Sequence, residues 1–402
     1  MSRVLLAWEL GSGAGHLASL RTLAEELLKR GHRVTLAARD IGSAATIFGG
    51  LAGRLHVVQA PVCSRNYGGL ADPPLNFAEI LMRFGYLDAS MLKALVQGWR
   101  ALFELTGADR LVADHAPTAL LAARGMPVAC TTFGNPFAVP PSLSPTPNMR
   151  QWLEVPAQRL ENSDEQVVRT INAVLASADP PVTRLHQLFD GAEHLFIGVP
   201  ELDPYGPRAA GSYLGLHAAR SGNAPANWPE GEGARVFAYV KADYPHIQAC
   251  LAALRAAPAR CLVNLAGGTP QTTGPFCGPR MSFSAGHVDI EHALAQCDLL
   301  VCQSGLGTVN AALRYGRPLL LLPSQLEQYL LARNVEKLGA GLVVHPETKL
   351  PDIAGSLGRL LTDPGFARNA DALAQRYGVQ QAADIVGRAA DRIEARDPVP
   401  AR

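Results

Sequence analysis

Residues 299–341 read LLVCQSGLGTVNAALRYGRPLLLLPSQLEQYLLARNVEKLGAG, and the order of elements in this stretch decides the fold. An apolar run at Leu299–Cys302 stops at Gln303. Ser304, Gly305, Leu306, Gly307 and Thr308 then form a Gly-rich turn, and a helical pattern follows with Ala311, Ala312 and Leu313. A second apolar run, Pro318–Pro323, ends at Gln325, Leu326, Glu327 and Gln328 before another helical pattern. Strand, turn, helix, strand, loop, helix is the unit from which parallel α/β sheets are built. A turn of this kind aims free backbone N–H groups and the positive end of a helix dipole at one point, which suits a phosphate. A carboxylate beside an amide at the next strand end suits the hydroxyls of a sugar. Phosphate at one strand end and hydroxyls at the next imply a nucleotide-sugar site.

The stretch resembles the donor-site signature of the GT-B nucleotide-sugar glycosyltransferases, the superfamily of the macrolide, flavonoid and glycopeptide transferases. That signature runs His-Gly-Gly-x-Gly-Thr-x-x-Glu-Ala, then Gly-x-Pro, then Asp-Gln-x-x-Asn-Ala. Gly305, Gly307, Thr308, Ala312, Leu313, Gly316, Pro318, Gln328 and Ala332 match it. Gln303 stands where the family has a phosphate-binding His, Ser304 where it has Gly, Ala311 where it has a ribose-binding Glu, and Leu331 where it has Asn; Glu327 for Asp is a mild change. The resemblance implies an α/β GT-B fold, in which two Rossmann-like parallel-sheet domains face one another across a cleft. It also implies an inverting transfer of a sugar from a UDP or dTDP sugar, with the nucleotide sugar as co-substrate, no cofactor and no metal.

Length and composition agree with this reading. A chain of 402 residues exceeds what one core usually holds, and 48% hydrophobic against 18% charged residues suffices for two buried sheets. A formal net charge of +1, without a Lys/Arg-dense run, argues against nucleic acid as a partner. The opening MSRVLLAWELGSG is broken by Glu9 and Gly11 too soon for a signal peptide, and no stretch approaches the roughly 18 apolar residues of a membrane span. The seven cysteines are scattered without metal-ligand spacing, as expected of a reduced, cytoplasmic protein.

Alternation of strand and helix divides the chain. Residues 1–215 are expected to form the N-terminal, acceptor-binding domain, 216–234 a Gly/Pro/Ala-rich linker and 235–382 the C-terminal, nucleotide-sugar domain. Residues 383–402 are expected to form a helix returning to the first domain. Strands are expected at Val4–Trp8, Arg33–Ala37, Leu55–Gln59, Arg110–Ala113, Val128–Thr132 and His194–Gly198, then at Val236–Val240, Cys261–Ala266 and Met281–Ser284. Helices are expected at His16–Arg30 with Gly31 as C-cap, across Asn76–Leu105, and at Pro117–Gly125, Gln166–Ser177, His246–Ala256, Ile353–Thr362 and Ala370–Glu394.

The catalytic candidates are His16, Asp114 and Glu9. His16 follows Gly11-Ser12-Gly13-Ala14-Gly15 and opens a helix: it is either a general base or a cap in a tight turn. In the family a His in this turn takes the acceptor's proton, and an Asp after a later strand holds the other ring nitrogen. Asp114 lies at that position, where it otherwise caps the next helix. Glu9 binds the acceptor, acts as the base, or points to solvent. On the donor side the resemblance gives the backbone of Gly305, Leu306, Gly307 and Thr308 to the diphosphate, with Gln303 and Ser304 beside it. It places His287 against the base, unless that residue belongs to a surface loop, and it has backbone groups at Val288 read the base edge. Lys241 either reaches the diphosphate or is solvated, and Glu327 and Gln328 either hold the sugar or line a solvated loop. The acceptor pocket falls to Ser64–Leu75, Phe77–Tyr86 and Phe133–Pro147, whose aromatic residues fit an apolar or aromatic hydroxylated small molecule or are plain core. An epimerase or hydrolase on the same fold, and a non-catalytic binding module, are the competing functions.

Overall fold

The computed structural model describes residues 1–175, 180–208, 212–217, 224–286, 288–378 and 385–397. The chain forms two compact units. The first comprises Met1–Ile197, Pro207–Leu214 and Val386–Arg402; the second comprises Gly198–Gly206 and Gly215–Ile385.

The first unit is built on strands β1 (Arg3–Trp8), β2 (Arg33–Ala38), β3 (His56–Gln59), β4 (Arg110–Asp114), β5 (Ala129–Gly134), β6 (Glu193–Ile197) and β7 (Tyr213–Gly215), in the order β3-β2-β1-β4-β5-β6-β7. Pairing is parallel from β3 through β6. β1, RVLLAW, is buried except at Arg3 and sits inside the sheet, which is why its apolar run is continuous rather than alternating. The helix Ala14–Lys29 turns Leu17, Leu20, Leu23, Ala24 and Leu27 to the sheet at three- and four-residue spacing. It ends as the sequence indicates: Gly31 adopts φ +84°, its N–H bonds Leu28 O, and the N–H of His32 reaches Leu27 O. Residues 386–397 close this unit. Arg30 bonds Asp391 at 2.5 Å and Glu394 at 3.0 Å, and Arg110 donates to the carbonyls of Ile393 and Glu394.

The second unit carries β8 (Ala234–Lys241), β9 (Ala259–Ala266), β10 (Met281–Phe283), β11 (Leu299–Cys302), β12 (Leu319–Leu321) and β13 (Gly341–Val343), in the order β10-β9-β8-β11-β12-β13, all parallel. Leu300 and Cys302 pack into one core with Leu319, Leu321 and Val309, while Leu299 and Val301 pack into the opposite core with Leu320 and Leu322. Both faces of β11 and β12 are therefore covered, as an unbroken LLVC and PLLLLP require. Two doubly wound parallel sheets are the architecture that the deciding stretch implied.

Some boundaries differ. The helical stretch expected over Asn76–Leu105 is two helices, Phe77–Met82 and Ala89–Thr106. The break lies at Gly85, with φ +100°, and at Asp88, whose carboxylate accepts from the N–H groups of Ser90 and Met91 and starts the second helix. The helix expected from Gln166 begins at Ala157. Its first half reads as surface because Ser163 and Asp164 are buried polar residues, bonded to Asn76 and Thr146 rather than packed as hydrophobes. The helix expected from Ala370 starts at Pro364, capped by Asp363, and ends at Tyr377; Ile385–Glu394 is a separate element. Among the described residues, no helix is long and apolar enough to cross a membrane.

Candidate active site

In the first unit, β1 and β4 are neighbours with Trp8 opposite Asp114. The turns that follow the two strands therefore leave the sheet side by side at its carboxyl edge, where open α/β sheets bind ligands. After β1, Gly11 (φ +83°) and Gly13 (φ +97°) make the turn, and Gly13 caps the helix that begins at Ala14, so His16 lies in its first turn. His16 Nδ1 is 2.9 Å from Asp114 Oδ1, with both side chains largely buried. The carboxylate accepts, so Nδ1 donates and the neutral ring carries its lone pair at Nε2. Trp8 stacks on the imidazole, ring centroids 5.8 Å apart. Two glycines make room for the pair. A Cβ at Gly134 would lie 3.0 Å from Asp114 Oδ1, and one at Gly11 would lie 2.7 Å from His16 Nε2. A histidine oriented by a buried carboxylate is equipped to take a proton at Nε2 and to hold the resulting imidazolium.

Glu9 is brought close in sequence but turned elsewhere. It is buried, which excludes the solvent-facing alternative, and its carboxylate accepts from Thr118 N at 2.9 Å and Thr118 Oγ1 at 2.5 Å. It thereby caps the helix Pro117–Ala123 from the turn after β1, while Tyr86 OH and Thr118 Oγ1 are 3.0 Å apart and hydrogen-bonded. Burial raises its pKa to about 7 against the opposing hydrogen bonds from Thr118. With Leu10 N donating to His115 O at 2.9 Å, Glu9 clasps the turn that carries Asp114 to the turn that carries His16.

His115 escaped the sequence reading. It follows Asp114 with φ +48°, is buried, and is bordered by the rings of His16, Phe77 and Phe137 at 6.0–6.3 Å. Burial, then the neighbouring His16, lowers its pKa to about 3, so the ring is neutral. The one signal in the sequence was its place directly after the Asp that ends β4. Of the aromatic residues assigned to an acceptor pocket, Phe77, Tyr86, Phe133 and Phe137 are core side chains.

In the second unit, β11 ends at Cys302, and Gln303 and Ser304 lead to Gly305, the N-cap of the helix Leu306–Arg314. Leu306, Gly307 and Thr308 are its first three residues, whose N–H groups have no acceptor within the helix. Ser304 holds φ +58° and is buried, with no hydrogen-bond partner for its Oγ among the described residues. One strand over, Glu327 and Gln328 stand half-buried in the first turn of the helix Leu326–Lys337, and Gln328 Oε1 accepts from Ser324 N at 2.9 Å. Lys241 ends β8, the neighbour of β11 on its other side, and is exposed. Gln303–Thr308, Glu327 and Gln328 thus gather at one edge of this sheet. Val288 has its side chain in the core, and a backbone bridge joins it to Ala224. His287 lies outside the described residues. Ala311 is fully buried in the same core, so the helix face that would carry a ribose carboxylate is apolar here.

Known proteins match this chain in fold and in part of its sequence. Residues 280–389 match the family model "Erythromycin biosynthesis protein CIII-like, C-terminal domain". A PGL/p-HBAD biosynthesis rhamnosyltransferase of Mycobacterium bovis (strain BCG / Pasteur 1173P2) is 29% identical over 196 residues, which are 47% of this chain and 43% of that protein. The chain thus spans less than half the length of this relative. Among solved structures, the calicheamicin glycosyltransferase CalG4 aligns with a TM-score of 0.68 at 20% identity over 98% of both chains. The spinosyn rhamnosyltransferase SpnG aligns with a TM-score of 0.66 at 18% identity, over 98% of this chain and 100% of that one, and has also been solved with the spinosyn aglycone and with thymidine diphosphate. The chain thus shares its fold of two parallel α/β sheets with these glycosyltransferase structures, and its residues 280–389 resemble the EryCIII-like C-terminal domain.

Proposed function

We propose that this protein is an inverting glycosyltransferase that moves a sugar from a UDP or dTDP sugar to a hydroxyl of a small-molecule acceptor. The observation that carries the reading is the 2.9 Å pair of His16 and Asp114 at the joined carboxyl ends of β1 and β4. His16 Nε2 removes the acceptor's hydroxyl proton as the oxygen attacks the anomeric carbon, and the bond from that carbon to the diphosphate breaks. Asp114 stabilises the imidazolium through Nδ1–H. The departing nucleoside diphosphate takes the electron pair, and its charge is met by the N–H groups of Leu306, Gly307 and Thr308 at the helix terminus. That backbone cradle stands in for a divalent cation, so the reaction is metal-independent. Ser304 Oγ and the Gln303 amide add neutral hydrogen bonds to the diphosphate, Lys241 supplies a positive charge beside it, and Glu327 and Gln328 hold the sugar hydroxyls. Thymidine diphosphate and the spinosyn aglycone bound by the structurally similar SpnG support a nucleoside-diphosphate donor and a small-molecule acceptor. Seven free thiols support a reducing, cytoplasmic setting.

The test is diphosphate release from a panel of UDP and dTDP sugars, with and without hydroxylated acceptors. Release that depends on an acceptor bears the reading out. Release that is equal without acceptor makes the protein a hydrolase, and no release with binding intact makes it a binding module.

A further inference from the structure

His115 is a polar group without a visible reason. Its ring is buried, and neither Nδ1 nor Nε2 has a hydrogen-bond partner among the described residues. A buried donor or acceptor left unmatched costs about 1–3 kcal/mol. The backbone adds a further cost, because a side chain at φ +48° is strained. Strain and unmatched polar atoms gather where a ligand completes the structure.

The surroundings say where the partner comes from. Phe77 and Phe137 border the ring as core side chains. His16, with ring centroids 6.2 Å apart, and Gly11 also stand beside it. A Cβ on Gly11 would lie 2.7 Å from His16 Nε2 and 3.3 Å from His115 Nδ1, so both nitrogens abut the same glycine. One point therefore lies within 3.3 Å of both nitrogens, and an atom placed there would face both rings. The reacting hydroxyl has one proton, which goes to His16. A second oxygen is needed to satisfy His115, and a neutral imidazole offers one N–H and one lone pair for it.

Building on the proposed transfer reaction, we propose that His115 is a specificity-determining residue that hydrogen-bonds an oxygen adjacent to the reacting hydroxyl. The acceptor class is then a vicinal diol or a hydroxyl beside a carbonyl. Because burial keeps its pKa near 3, His115 does not compete with His16 for the transferred proton.

The test takes an acceptor that the diphosphate-release panel identifies, together with its analogue lacking the neighbouring oxygen. Wild type is expected to favour the full acceptor by tenfold or more in kcat/KM. His115→Phe, which keeps the ring buried, is expected to raise the acceptor's KM about tenfold, with kcat within threefold and dTDP or UDP affinity unchanged. It should also level the two acceptors. His115→Gln, which keeps a donor and an acceptor, is expected to retain part of the preference. Adding acceptor to imidazole-labelled wild type is expected to shift the His115 nitrogen resonances. Wild-type discrimination below threefold, or unshifted His115 resonances, overturns the assignment even if His115→Phe fails to fold. If the panel yields acceptor-dependent transfer but His115→Phe is indistinguishable from wild type, this inference falls and the transferase reading stands. If no acceptor is used at all, the transferase reading itself falls.

Discussion

Replacing Gly11 with Ala separates the catalytic geometry from the fold. Gly11 sits at φ +83°, where a side chain is disfavoured by about 1–2 kcal/mol. In a unit of about two hundred residues this lowers Tm by roughly 2–8 °C. The larger effect is local. The new methyl would lie 2.7 Å from His16 Nε2, a separation that carbon and nitrogen do not sustain. The imidazole must swing away, and its 2.9 Å bond to Asp114 lengthens or breaks. Base catalysis by a positioned side chain contributes about 10²–10⁴-fold, so kcat should fall by about 100-fold or more. Nucleoside diphosphate affinity should not change, because Gly305–Thr308 belong to the other unit. Calorimetry gives Tm, titration with UDP or dTDP gives donor affinity, and steady-state transfer gives kcat. A folded Gly11→Ala protein whose kcat stays within threefold of wild type refutes the argument, since a displaced His16 would then be irrelevant to turnover.

Four further outcomes follow from the same geometry. His16→Ala should retain the fold and lose about 100-fold or more in turnover; near-normal kcat would remove His16 as the base. Transfer should persist in excess chelator, and activity lost there and restored by magnesium or manganese would overturn the helix-terminus account of the leaving group. Ala311 offers the ribose no carboxylate, and one hydrogen bond is worth about 1 kcal/mol, so UDP and dUDP should compete within roughly tenfold of each other. A large preference for UDP would reveal another ribose contact. For Glu9, a folded pKa of about 7 against an ordinary value of 4.5 means that the folded state binds more protons between those values. Stability from this group therefore falls as pH rises through that window, by about 3 kcal/mol in total. Denaturant titrations of Glu9→Gln should show a flatter profile between pH 5 and 8 than wild type, and parallel profiles would contradict the buried acid.

What the sequence made legible follows from periodicity. β1, β4, β8 and β11 are covered on both faces, so their apolar runs are unbroken and readable. The Gly-rich turns were readable because φ values such as +83° at Gly11 and +97° at Gly13 exclude most other residues. Elements whose stability comes from polar contacts were not. The first half of Ala157–Asn172 buries Asp164 against Thr146, which looks like surface in a hydrophobicity pattern. β13 is three residues long and opens with Gly341, where a Cβ would strike Leu319 O, so close packing rather than propensity selects the residue. In the candidate site, the resemblance pointed to His16 and Asp114 as a pair, and the structure brings them together. The direction of Glu9 and the burial of His115 depend on contacts between segments about a hundred residues apart, which no local pattern carries.

The central claim is direct displacement at the anomeric carbon by an acceptor oxygen activated by His16. It is tested most directly by running the reaction with an α-configured nucleotide sugar and reading the product's anomeric configuration and the released diphosphate together by NMR. The account predicts a β-glycoside and one nucleoside diphosphate for each glycoside, with both signals lost together in His16→Ala. A product with the α-configuration retained, or diphosphate release accompanied by free sugar whether or not acceptor is present, would contradict it.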